Sequence, residues 1–219
     1  VIIVAVNQLQ QTNLREQALA VLKLRLISGD LVPGEIYSAA ALAAELGVSN
    51  SPVREAMLTL VNQGLMETVR NRGFRVVPLS DRERRNIYDL RMMLEVPSMA
   101  KLARIKEKIA PRFAEFSRIA AEITASAEAG DIVGYLDADR RFHLGLLDVL
   151  DNEQLVSIID NLRDQSRQYG LRQLSSNGKL VDSALEHQKI LDAIVDGDEA
   201  KVAELMELHL GHFVGDWAG

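Results

Sequence analysis

The chain has no cysteine. Disulfides and thiolate metal sites are therefore excluded, and nothing in cysteine usage suggests secretion. No apolar run approaches the roughly 18 residues of a membrane-spanning helix. The opening VIIVAVNQL is apolar but short, without a basic flank or a cleavage-like sequel. It is expected to form a frayed arm or an edge strand rather than a signal peptide. The expected compartment is the cytoplasm, with no membrane contact. Internal repeats and low-complexity segments are also missing. A strong basic excess is missing too, because the net charge is −6. That charge is uneven: residues 1–80 hold seven Lys/Arg against six Asp/Glu, and residues 81–219 hold eighteen against twenty-five. An anionic polymer is expected to touch the first part and to be repelled by the second.

What is present is ordinary globular material, 47% hydrophobic and 26% charged over 219 residues, enough for one large domain or two small ones. Residues 14–28 space Leu14, Ala18, Leu22 and Leu26 as a helix, stopped by Gly29-Asp30 and a turn at 32–35. A short helix over 39–46 ends at Gly47. Ser51 reads as an N-cap with Pro52 at the first helical position, where its missing N–H costs nothing. That helix buries Val53, Met57, Leu60 and Val61. Strands over 66–69 and 74–77 flank Asn71-Arg72-Gly73, residues that tolerate the positive φ of a tight hairpin. Pro78-Leu79-Ser80 reads as a linker, which divides the chain into 1–78 and 79–219. Beyond it six helices are expected near 81–105, 111–129, 131–150, 152–173, 180–196 and 198–214, with Pro97 kinking the first. The fold class is mainly α: an N-terminal winged helix-turn-helix followed by a C-terminal all-α bundle.

In a winged helix the second helix of the pair enters the major groove by its N-terminus. Asn50, Ser51 and Arg54 lie on the outward side of that terminus. Arg70, Arg72 and Arg75 sit on the wing, around Gly73. Arginine forks onto guanine and asparagine onto adenine, and a helix N-terminus attracts phosphate. The same architecture also serves as a protein-interaction module, so the pattern alone leaves both partners open. The stretches GDLVPGE, LGVSNSPVREAM and NQGLMETVRNRGFRVV resemble the N-terminal domain of the GntR family of bacterial transcription regulators, from Leu14 to Val77. The resemblance implies a double-stranded DNA operator as partner. Asn50 departs from it, standing where the family commonly has arginine.

In the second part, the apolar stripe of the helix near 131–150 passes through Asp139 and His143, four residues apart on one face. The stripes of the last two helices include His187 and His209. An ionised carboxylate buried without partners is expensive, so it is paired, neutralised or metal-bound. One Asp with three His suits a divalent transition metal, with zinc, nickel and manganese all open. The alternative for each residue is a hydrogen-bonded core side chain. His212 lies less centrally than His209 and ranks below it as a ligand. The stretches DADRRFHLGLLDVLDN, EHQKILDAIVDGD and LMELHL resemble the FCD effector domain of the FadR subfamily, in its shorter VanR-like branch. That resemblance implies Asp139, His143, His187 and His209 as metal ligands and a small carboxylate as effector. Arg91 on the first helix of the bundle, and Arg163 or Arg167 on the fourth, are the candidate cations for such an effector.

The leading expectation is a ligand-responsive regulator, with repression relieved by effector, acting as a homodimer on a palindromic operator. A metal-dependent hydrolase using the Asp/His₃ set is the alternative from another class; no general base beyond His212 presents itself for it. A direct metal sensor is the third.

Overall fold

The computed structural model describes the backbone of residues 2–176 and 179–212, and the side chains of 14–166 and 179–212. The chain divides into two compact units, Val1–Leu79 and Ser80–Gly219.

The first unit runs α1 (Ile2–Ser28), β1 (Ile36–Tyr37), α2 (Ala39–Leu46), α3 (Asn50–Asn62), β2 (Met66–Val69) and β3 (Gly73–Val76). The opening segment is the first part of α1, neither an arm nor a strand. Residues 1–28 contain no glycine or proline, so nothing in them stops a helix from extending upstream. Ser38 caps α2 by accepting from the Ala41 N–H at 3.0 Å, and Gly47, at φ 68°, closes it in the left-handed region. The N-cap of α3 is Ser49 rather than Ser51. Ser51 lies inside the first turn and donates its hydroxyl to Glu55 at 3.0 Å. Pro52 is tolerated there because the first N–H groups of a helix have no partner within it. Leu22 and Leu26 of α1, Val53, Ala56, Met57 and Leu60 of α3, and Met66, Phe74 and Val76 of the sheet form one buried core.

The sheet is antiparallel in the order β1-β3-β2. The two-residue β1 escapes pattern reading because so short a strand shows no alternation. Tyr37 lies opposite Phe74. Gly73 has φ 127°, and a Cβ there would fall 2.3 Å from the Tyr37 carbonyl oxygen. The wing closes onto β1 only with glycine at this position.

The second unit contains α4 (Asp81–Ala103), α5 (Lys106–Ile109), a 3-10 turn at Ala110–Arg112, α6 (Phe113–Ala129), α7 (Ile132–Asp148), α8 (Glu153–Ser176), α9 (Lys179–Asp196) and α10 (Glu199–Gly211). The six expected long helices are all there. The single-turn α5 and the 3-10 turn are additions, too short to complete a period. A capping box opens α4: the Ser80 hydroxyl accepts from the Glu83 N–H and the Glu83 carboxylate from the Ser80 N–H. The helix is continuous through Pro97. Asp131 and Asp198 cap α7 and α10. α6 packs along α7 and α9, and α10 packs along α4 and α9. Phe213, within the last of the expected helices, lies outside the described residues. Among the described residues no helix is long and apolar enough to cross a membrane.

Candidate functional site

Two places in the molecule gather the residues singled out above, one in each unit. In the first, a groove of about 630 Å³ runs between the N-terminus of α3 and the wing. Asn50, Arg54, Arg70, Arg72 and Gly73 all line it. Ser51 is exposed beside it and hydrogen-bonded to Glu55. Asn71, at φ 58°, and Gly73 supply the positive φ values of the hairpin. Arg54, Arg70 and Arg72 are exposed, and among the described residues none forms an ion pair with them. Arg75 differs: it is tied to Glu67, its cross-strand neighbour, at 2.8 Å. The open face therefore offers three unneutralised guanidinium groups and an amide around one concavity. A chain with a net negative charge thus carries a locally basic surface.

In the second unit, Asp139 and His143 of α7, His187 of α9 and His209 of α10 bring one ligand atom each to within 4.8 Å of one another, all four residues buried. His143 Nε2 lies 3.1 Å from His187 Nε2, which lies 3.2 Å from Asp139 Oδ1. Asp139 Oδ1 is 3.6 Å from His143 Nε2. His187 Nδ1 donates to the Ala184 carbonyl at 2.9 Å, which leaves its Nε2 without a hydrogen when the ring is neutral. The Phe142 ring stands edge-on to the imidazoles of His143 and His187, with centroids 5.4 and 5.0 Å away.

Burial pushes the His143 ring well below the ordinary imidazole range, and the Arg163 charge adds to it. Burial likewise lowers His187 to about 4, against the bond to Ala184, and His209 to about 4, against the bond to Glu186. All three are neutral at pH 7, the form in which imidazole ligates a metal. Three uncharged imidazoles and one carboxylate, all buried and converging, fit a divalent transition metal. The residues that would hold it are those four.

Of the candidate arginines, Arg163 reaches this cluster directly and Arg91 joins it through Glu95, and both are engaged by carboxylates. Arg163 of α8 donates to Asp139 Oδ2 and to Glu95 Oε2, each at 2.6 Å. Arg91 of α4 donates to Glu95 Oε1 at 2.6 Å and to the Ser166 hydroxyl at 3.0 Å. Burial alone would raise the Glu95 carboxyl, but the Arg91 and Arg163 charges outweigh it and hold it at about 2. Arg163 leaves one donor over: its Nε is buried with no hydrogen-bond partner. The Arg167 side chain lies outside the described residues.

Two residues of this network escaped the sequence reading. Glu95 follows Arg91 by four positions, a spacing that places the two on one face of α4, and the structure buries both. Glu186 precedes His187 and accepts from His209 Nδ1 at 2.8 Å and from His212 Nε2 at 2.7 Å. The latter bond takes His212 out of the ligand cluster and joins it to Glu186.

A winged helix ahead of a helical bundle with a buried polar centre defines a two-domain DNA-binding regulator. Residues 14–76 match the gntR family of bacterial regulatory proteins, and residues 86–212 match the FCD domain. The chain belongs to the gntR family of transcription regulators, with an FCD domain behind the winged helix. It is 30% identical to the gluconate operon transcriptional repressor of Bacillus subtilis over 171 residues, 78% of this chain and 68% of that protein. It is 25% identical to the transcriptional repressor GlaR of Escherichia coli over 195 residues, 86% of this chain and 89% of that one. The solved structure of Escherichia coli McbR/YncC superposes with a TM-score of 0.79 at 25% identity, covering 94% of this chain and 97% of that one. Both matched domains belong to transcription regulators, and the hydrolase alternative falls with that finding.

Proposed function

We propose that this regulator is a repressor that binds a palindromic operator as a homodimer and responds to a small carboxylate held beside a metal in its FCD domain. The observation that carries the reading is the Asp139, His143, His187 and His209 cluster with Arg163 bonded to its carboxylate. A metal there would supply a Lewis-acidic centre able to accept a carboxylate oxygen in its open positions. Arg163 positions Asp139 by taking Oδ2 and turning Oδ1 toward the histidines. The spare Nε–H of Arg163 supports it as a donor to an incoming carboxylate, with Arg91 on the far side of Glu95.

On DNA, Asn50, Ser51 and Arg54 at the start of α3 would face base edges and phosphates, with Arg70 and Arg72 around Gly73 on the wing reaching the backbone or minor groove. Effector relieves repression in this reading only by binding one arrangement of the dimer better than the other. Zinc, nickel and manganese all remain candidates for the ion.

Elemental analysis of protein purified without chelator in metal-supplemented buffer tests the centre. About one transition metal per chain is expected in the wild type, and it should be lost in both Asp139→Ala and His187→Ala. A folded wild type without metal would remove the ligand assignment. Selection from a random duplex pool should return a motif with two-fold symmetry, and a single asymmetric half-site would contradict the dimer.

A further inference from the structure

We infer that Glu186 is the positioning residue for the His209 donor, fixing the ring in the tautomer that presents a bare Nε2 to the cluster. The inference rests on the metal reading given above. An imidazole can ligate through a nitrogen only when that nitrogen carries no hydrogen. In solution a neutral histidine exchanges between two tautomers; in the folded chain His209 has a carboxylate oxygen 2.8 Å from Nδ1. An ionised carboxylate only accepts, so the hydrogen sits on Nδ1 and the Nε2 lone pair is left for the ion.

The three histidines are supported unequally. His187 is fixed by a backbone carbonyl, Ala184 O. His143 Nδ1 is buried with no hydrogen-bond partner. Of the three imidazoles in the cluster, His209 is the one whose second nitrogen meets a carboxylate, and a carboxylate behind a ligating imidazole both orients it and raises its basicity.

Glu186 is itself suited to the task. It is buried, and among the described residues it pairs with no lysine or arginine, so its two oxygens rest on the two histidines near the end of α10. His212 Nε2–H on Oε1 holds the carboxylate so that Oε2 stays aimed at His209. His212, considered in the sequence as a ligand, thus acts through Glu186, and α9 is joined to α10 at the level of the cluster.

The test uses the full-length protein, Zn²⁺ as the probe, chelator competition for affinity, and ¹⁵N-histidine NMR of the chelated protein for the tautomer. Wild type should show the His209 hydrogen on Nδ1. Glu186→Ala should populate the Nε2–H form and weaken zinc binding by about 10- to 100-fold. Glu186→Gln should recover part of that loss, because the amide oxygen can still accept from His209. His212→Ala keeps the Glu186–His209 bond and should lose less than Glu186→Ala. A purely structural Glu186 would lower the unfolding temperature without moving the tautomer. Zinc affinity unchanged in Glu186→Ala, or a wild-type His209 with its hydrogen on Nε2, would overturn the inference while leaving the metal centre standing. A wild type that takes no zinc removes both. Should Glu186→Ala not fold, Glu186→Gln and His212→Ala decide the matter by the same two readouts.

Discussion

Arg163 divides its guanidinium between Glu95 of α4 and Asp139 of α7, with only 2% of its surface exposed. Removing one partner from a buried ion pair leaves an uncompensated charge, which costs about 3–5 kcal/mol. Arg163→Met should therefore destabilise the bundle by an amount in that range, measured by chemical denaturation in the presence of chelator. A loss below about 1 kcal/mol, the scale of a surface pair, would contradict the burial of this network. The four candidate ligands were legible because each interrupts an apolar stripe, and an interruption at helical spacing is informative. Glu95 and Glu186 were not, because an acidic residue in a charged helix is assigned to the solvent face by default. Arg163 opposite Glu95 and His209 opposite Glu186, both distant in sequence, reverse that assignment. Arg91 and Arg163 were legible as cations near the stripes, but Arg163 was not legible as the partner of carboxylates on two other helices.

The wing shows what one glycine contributes to an element. At φ 127° an L side chain is strained, by about 1–3 kcal/mol. The Tyr37 carbonyl also stands where the Cβ would go. Gly73→Ala should separate β3 from β1, lower the unfolding temperature of the first unit, and weaken operator binding at fixed salt. An unchanged unfolding temperature would mean that the hairpin adapts at no cost. The neighbouring elements were legible where punctuation is strong: α2 between Ser38 and Gly47, and the hairpin at Asn71-Arg72-Gly73. They were illegible where it is weak. The upstream part of α1 has no stop signal to mark its start, β1 has no periodicity, and the serines at 49 and 51, on either side of Asn50, compete for the α3 cap. The outcome at α3 favours Ser49 because Pro52 then still falls within the first turn, where a missing N–H is harmless.

For the molecule as a whole, net charge was a poor guide to its partner, since the basic character lies in one groove and is invisible in a sum. Proton balance gives a clearer expectation. Histidines of the unfolded chain titrate near 6.5, whereas burial holds His187 and His209 at about 4 and His143 well below its ordinary value. Between those limits the unfolded chain binds protons that the folded chain does not. Stability of the chelated protein should therefore be fully present above about pH 6.5 and be lost progressively as pH falls toward 4. Thermal unfolding of the chelated protein at a series of pH values checks this, and a flat profile across that window would contradict neutral burial of the three rings.

The polar chain through the bundle has one more consequence. Glu95, Arg163 and Asp139 stand on α4, α8 and α7, each bonded to the next, and Asp139 Oδ1 lies 3.2 Å from His187 Nε2 on α9. Substitutions at Glu95 and at Asp139 touch no common atom, yet both act on the Arg163 guanidinium between them. Their energies are therefore not independent, and the three helices keep a shared thermodynamic account.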